Sequence, residues 1–168
     1  MKIILPKDFS VEERRERAMA YFREGGYNCC QAVVLSFADI LESNKLASGE
    51  FLSIIGSGFG GGMARMREVC GSFSGMVMMA GFISPADDPG VKEARTANYA
   101  LVQQFAEAFK AANGGSIVCR ELLGLAARKE MENPEPSDRT PEYYKKRPCA
   151  HIIGNAAAIV AEKLLQQQ

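Results

Sequence analysis

Apolar residues recur along this chain at intervals of three and four, the spacing that gathers them on one side of a helix, and no stretch alternates long enough to make a convincing strand. Ser10 with Glu13 reads as a capping box, and the segment behind it, VEERRERAMAYFRE, ends at Gly25-Gly26. Asn28 suits the N-cap of CCQAVVLSFADILE, with Cys29, Val33, Phe37 and Ile40 on a buried face. Ser48 caps a shorter apolar stretch, FLSII, and a central segment then extends from about Met63 to Ile83. Asp88 and Pro89 predict the start of a long helix reaching about Ala112, with Val91, Ala94, Leu101, Phe105 and Ala108 inward.

Gly114-Gly115 stops that helix, and Ser116 caps IVCRELLGLAARK. Pro148 opens a last helix, CAHIIGNAAAIVAEKLL, with Cys149, Ile152, Ala156, Ile159 and Val160 along one side. In between, residues 128–147 carry Pro134, Pro136 and Pro141 and no period, as a lid, a binding loop or a disordered stretch would. The pattern predicts an all-α fold, one domain over residues 1–168 arranged as a compact bundle of about six helices. A glycine-rich loop precedes the central helix and a long proline-containing loop precedes the last.

The segment Gly56 to Gly81 concentrates eight of the 16 glycines and five of the eight methionines around a single cysteine, Cys70. If its helix begins near Met63, Cys70 lies two turns in, on a face with Met66, Phe73, Val77 and Ala80; if Gly71 marks a break, Cys70 stands exposed at a junction. In either case Gly71 and Gly75, four apart, form a smooth strip that lets a neighbouring helix approach closely. GFGGG precedes no βαβ unit and is not a nucleotide fingerprint. The methionines at helical spacing are core filling before they are soft-metal ligands.

Charge narrows the function classes. Lys+Arg and Asp+Glu number 20 each among 168 residues, and the isoelectric point is near 6.6, so there is no electrostatic footprint for nucleic acid. The apolar run Met76 to Ile83 is too short to span a bilayer, and MKIILPKDF is too short in its apolar part for a signal peptide. The expected location is cytoplasmic. Five cysteines there are reduced at rest, and their odd number argues against a disulfide framework.

Cys29, Cys119 and Cys149 each fall in the first turn of an expected helix, where free N–H groups and the helix dipole favour a thiolate. Arg65, Arg67 and Arg120 flank Cys70 and Cys119 and can hold thiolates charged or receive an anion. His151, the only histidine, points about 200° away from Cys149 on a helix and is expected to face solvent. Tyr143, Tyr144, Lys145 and Lys146 end the proline-rich loop and can fold it over a pocket.

The segments YNCCQAV at Tyr27 to Val33, GFGGGMARMREVCGSFSG at Gly58 to Gly75 and CRELLG at Cys119 to Gly124, with Cys149 opening the last helix, resemble in order the bacterial and archaeal C_GCAxxG_C_C family. The resemblance implies redox activity and places the family's four cysteines at Cys29, Cys70, Cys119 and Cys149. Cys30 is then an extra thiol, and Ser72 stands where the family usually has Ala. A related domain occurs in some haem proteins, but this chain has no Cys-x-x-Cys-His segment for covalent haem.

Three chemistries compete for the four cysteines. The first is thiol–disulfide exchange or electron transfer, with Gly71, Gly75, Arg65 and Arg120 in support. The second is a four-thiolate centre holding zinc or an iron–sulfur cluster. The third is a non-catalytic helical interaction module with structural cysteines. A redox protein without a flavin or nicotinamide site implies a protein redox partner; a homodimer is compatible with the sequence, and nucleic acid and membrane are not expected partners.

Overall fold

Ser10 accepts a hydrogen bond from the Glu13 amide and starts α1 (Val11–Arg23), and Asn28 forms a full capping box with Gln31 at the start of α2 (Cys29–Leu35). These caps are the local reason the computed structural model, which describes residues 2–126, 130 and 132–168, is all-α. The remaining helices are α3 (Ala38–Ser43), α4 (Gly49–Gly56), α5 (Gly71–Ile83), α6 (Lys92–Ala112), α7 (Cys119–Leu122), α8 (Pro141–Lys145) and α9 (Cys149–Leu165). A 3₁₀ turn, Ser57–Phe59, follows α4. Among the described residues the only β contact is an isolated antiparallel bridge between Val69 and Val118.

The helices are more numerous and shorter than the six expected. The segment read as one helix from Cys29 breaks at Ser36-Phe37 because a side chain satisfies the freed backbone. Buried Arg14 donates to the Ser36 carbonyl at 2.8 Å and to Asp39 Oδ1 at 2.6 Å. Arg14 and Arg17 in turn hold the Asp39 carboxyl below its ordinary range against the opposing effect of burial.

Two further boundaries move. The long helix begins at Lys92, not at Pro89, because Asp88 turns its carboxylate onto the Gly90 amide at 2.8 Å and makes a local turn instead of a cap. Its buried residues are Leu101, Phe105 and Phe109, while Val91 and Ala108 are exposed. Ser116 accepts from the Val118 amide at 2.9 Å, one step ahead of α7, which is a single turn ending at Leu122. Ala127–Lys129, in the expected extension of that helix, lie outside the described residues, as does Met131 in the expected loop. That loop is not without elements: Thr140 caps α8, with Pro141 in its first turn.

One apolar cluster joins α1, α2, α5, α6 and α9, with Phe22, Val33, Met76, Phe105 and Ile153 among its members. Helix α1 lies along α9 and α2 along α5. The second contact depends on the glycine strip. A Cβ on Gly71 would sit 2.6 Å from the Phe59 carbonyl oxygen and 3.1 Å from Cys29 Cβ, and one on Gly75 would sit 2.9 Å from Val33 Cβ. The start of α5 is thereby held against the start of α2.

Candidate functional site

Cys29, Cys119 and Cys149 are the first residues of α2, α7 and α9, and Cys70 is the N-cap of α5. The central helix therefore breaks at Gly71, and Cys70 sits at the junction, but buried at 6% exposure and not open to solvent. Met66, expected on the same face, is exposed. A short ladder fixes Cys70 beside Cys119. The Cys70 amide donates to Ile117 O at 2.8 Å, the Cys119 amide to Glu68 O at 2.6 Å and the Arg120 amide to Arg67 O at 3.1 Å.

The glycine loop ahead of this ladder is wound in the left-handed sense. Gly61, Gly62, Met63, Ala64 and Arg65 all have positive φ, as does Arg67. For the four non-glycine residues such backbone costs on the order of 1 kcal/mol each. The loop is closed by hydrogen bonds from the Ala64 amide to Gly58 O at 2.9 Å, the Arg67 amide to Gly61 O at 3.2 Å and the Glu68 amide to Gly62 O at 3.1 Å. Its tight winding places Arg65 and Arg67 on the cavity and lets Gly62 lie against Cys119, where an added Cβ would sit 2.6 Å from Cys119 Cβ.

These elements surround a cavity of about 530 Å³, within the usual range for small-molecule sites. Cys29, Cys119 and Cys149 are on its wall, and Cys70 is not among its lining residues. Among the described residues four arginines also line it: Arg65, Arg67, Arg139 and Arg147. Two of them are tied to one carboxylate. Arg67 grips Glu132 with Nε at 2.8 Å and Nη2 at 2.6 Å, and Arg65 reaches the same carboxylate at 3.1 Å. Arg139 and Arg147 instead lie over the Tyr143 ring, at 5.0 and 4.6 Å from its centre.

The thiols respond differently to this setting. Cys29 and Cys149 share the cavity wall, close enough for each thiol to shift the other's pKa. The neighbouring Cys29 thiol and the positive charges of Arg147, Arg139 and Arg67 outweigh burial and lower Cys149 to about 7. Cys29 is pushed up by the neighbouring Cys149 thiol, by burial and by negative charge at Cys149, Cys70 and Cys119. Burial raises Cys119 against the pull of Arg67, raises Cys70 to about 11, and raises Cys30 to about 12. One thiolate is thus favoured at neutral pH, with a protonated thiol beside it.

A family model described as "Putative redox-active protein (C_GCAxxG_C_C)" matches residues 27–163. The chain belongs to the C_GCAxxG_C_C family. Comparisons with curated proteins and with solved structures returned no match. Of the four cysteines that the sequence resemblance assigns to this C_GCAxxG_C_C protein, Cys29, Cys119 and Cys149 line one cavity and Cys70 adjoins Cys119 through the backbone ladder, whereas Cys30 does not line it and has its sulfur 3.4 Å from Met78 Sδ.

Of the supporting residues, Arg65 lines the cavity, and Arg120 does not; it faces Glu68 at 3.6 Å. His151 is exposed. Tyr143 lines the cavity, and Tyr144 is set edge-on to Phe22. Arg139, Arg147 and Glu132 escaped the sequence reading because they lie in the aperiodic segment; only the placement of Arg147 two residues before Cys149 hinted at a role. No helix among the described residues is long and apolar enough to cross a membrane.

Proposed function

We propose that this protein carries out thiol–disulfide exchange, with Cys149 as the attacking thiolate and Cys29 as the thiol that resolves the mixed disulfide. The observation that carries this reading is that Cys29 and Cys149 line one cavity together with Arg147, Arg139 and Arg67. A thiolate near ambient pH with a protonated neighbour is the arrangement exchange requires. Cys149 attacks a substrate disulfide, forms a new S–S bond and expels one thiolate. Cys29 then loses its proton and attacks the Cys149 sulfur, expelling the second. The substrate gains two electrons and the pair becomes a disulfide, which a dithiol protein partner would reduce again.

The zinc or iron–sulfur reading has less support, because among the described residues no group of three or more His, Cys, Asp or Glu is spaced to hold a metal ion. The inert-core reading suits Cys30, whose thiol is fully buried. Mild oxidation of the fully reduced protein by diamide, followed by peptide mapping, tests the proposal. A Cys29–Cys149 disulfide is the expected product. A Cys149 left reduced, or linked only between molecules, would overturn it.

A further inference from the structure

We infer that the disulfide this cavity accepts is a small anionic one, a carboxylate-bearing or similarly charged molecule that docks its negative groups on Arg139 and Arg147. The inference rests on the exchange reading above and deepens it by naming the substrate class.

Among the described residues four guanidiniums line the cavity and no aspartate or glutamate does. Glu132, which is not a lining residue, is ion-paired with Arg65 and Arg67 on the glycine-loop side. Arg139 and Arg147 have no carboxylate within ion-pair distance among the described residues. Both are held in place by Tyr143, and Arg139 also by the Phe22 ring at 4.7 Å. Stacking on an aromatic face fixes a guanidinium while leaving its in-plane N–H donors free for a planar anion. A cavity with excess positive charge and low-dielectric walls concentrates anions and repels cations. Its volume suits a small molecule, so the charge preference acts on something that enters the cavity and meets Cys149 there.

The chemistry balances with such a molecule, RS–SR. The Cys149 thiolate takes one RS group and releases RS⁻, which takes up a proton. Cys29 displaces the second RS⁻ and gives up its own proton. Two RSH leave, and the Cys29–Cys149 disulfide holds the oxidising equivalents until a dithiol reduces it.

The same arginines lower the Cys149 pKa, so the test must separate a charge effect on the thiolate from a charge effect on the substrate. Reduced full-length protein is reacted with three aliphatic disulfides: dithiodiglycolate (anionic), hydroxyethyl disulfide (neutral) and cystamine (cationic). Mixed-disulfide formation at Cys149 is followed by mass spectrometry, and each rate is divided by that of free mercaptoethanol with the same reagent. The expected order is anionic, neutral, cationic, with an advantage for dithiodiglycolate over hydroxyethyl disulfide on the order of tenfold at low salt that shrinks as salt is added. The double variant Arg139→Gln/Arg147→Gln should lose that advantage while the ratio of the other two narrows.

Normalised rates with no charge order, or with the cationic reagent fastest, overturn the anionic-substrate inference and leave exchange intact. A variant that slows all three reagents by one common factor does the same, since the arginines would then act only on the thiolate. A Cys149 that reacts with none of the three overturns the exchange reading itself. The ordering in the unaltered protein decides the matter even if the double variant does not fold.

Discussion

Cys29 and Cys30 are joined by one peptide bond and project about 100° apart around α2, and their surroundings make them chemically unlike. Cys30 is fully buried, with Met78 against its sulfur and a pKa pushed by burial to about 12. Cys29 is half-buried on the cavity wall and within the field of the Cys149, Cys70 and Cys119 thiols. The core side of α2 is built by close helix contact along Gly71 and Gly75; the cavity side is built by left-handed loop backbone and arginines. Position on a helix start is common to the family cysteines, yet only Cys149 is lowered, because it alone combines a neighbouring thiol with cations that outweigh burial. Helix-terminal placement offers reactivity, and the neighbours decide whether it is realised.

The largest expected effect comes from removing the cavity's thiolate. At pH 7 Cys149, with a pKa of about 7, is about half ionised, whereas a thiol near 11 or 12 is ionised to roughly one part in ten thousand or less. Cys149→Ser should therefore cut the iodoacetamide alkylation rate of the native protein at pH 7 by on the order of a hundredfold. In the unaltered protein the alkylation rate of Cys149 should rise with a midpoint near pH 7. The thermodynamic sign follows, since a folded pKa below the ordinary 9.0 means that ionisation of Cys149 favours the folded state. Its contribution is complete above about pH 9 and is lost as pH falls through 7. The stability gap between the protein and the Cys149→Ser variant should grow over that window in urea titrations. A midpoint near 9 would erase the difference between the two sides of α2.

A next smaller effect tests whether the core side positions the cavity side. Gly71→Ala forces a Cβ to 2.6 Å from a backbone carbonyl and 3.1 Å from Cys29 Cβ, so α5 and α2 must separate. A loss of about 1–3 kcal/mol in urea unfolding is expected, with slower alkylation of Cys149 because its partner Cys29 moves. Gly81→Ala, on the same helix with open space around it, should be neutral or stabilising by about 0.5–1 kcal/mol. Equal losses at both sites would show that helix α5 is merely intolerant of alanine.

Much of this was legible in the sequence because it is local. The caps at Ser10, Asn28 and Ser48 formed where the side chains predict them, and the glycine strip met a neighbouring helix. The first-turn cysteines were visible for the same reason. What was not legible depends on distant partners. The break after Leu35 is set by Arg14, twenty-two positions from the Ser36 carbonyl it satisfies. The left-handed run through Met63, Ala64 and Arg65 contradicts local preference and is held by closure of the loop. The cations that distinguish Cys149 come partly from an aperiodic segment, whose described residues include a one-turn helix and the Arg67–Glu132 clasp.

The smallest expected effect lies on the core side. Cys30→Ala removes a buried sulfur and its contact with Met78, leaving a small void; a loss of about 1 kcal/mol is expected, the cost of one deleted heavy atom in a well-packed interior. Alanine is the informative replacement because serine would add a buried hydroxyl and confuse polarity with packing. The Cys149 alkylation rate at pH 7 should not change, since Cys30 contributes nothing to the groups that set the Cys149 pKa. Measuring both quantities on one variant makes the two sides of α2 independently readable. Lost stability with unchanged reactivity keeps them separate, whereas a several-fold fall in Cys149 reactivity would show that Cys30 is part of the reacting set and that the division drawn through α2 is false.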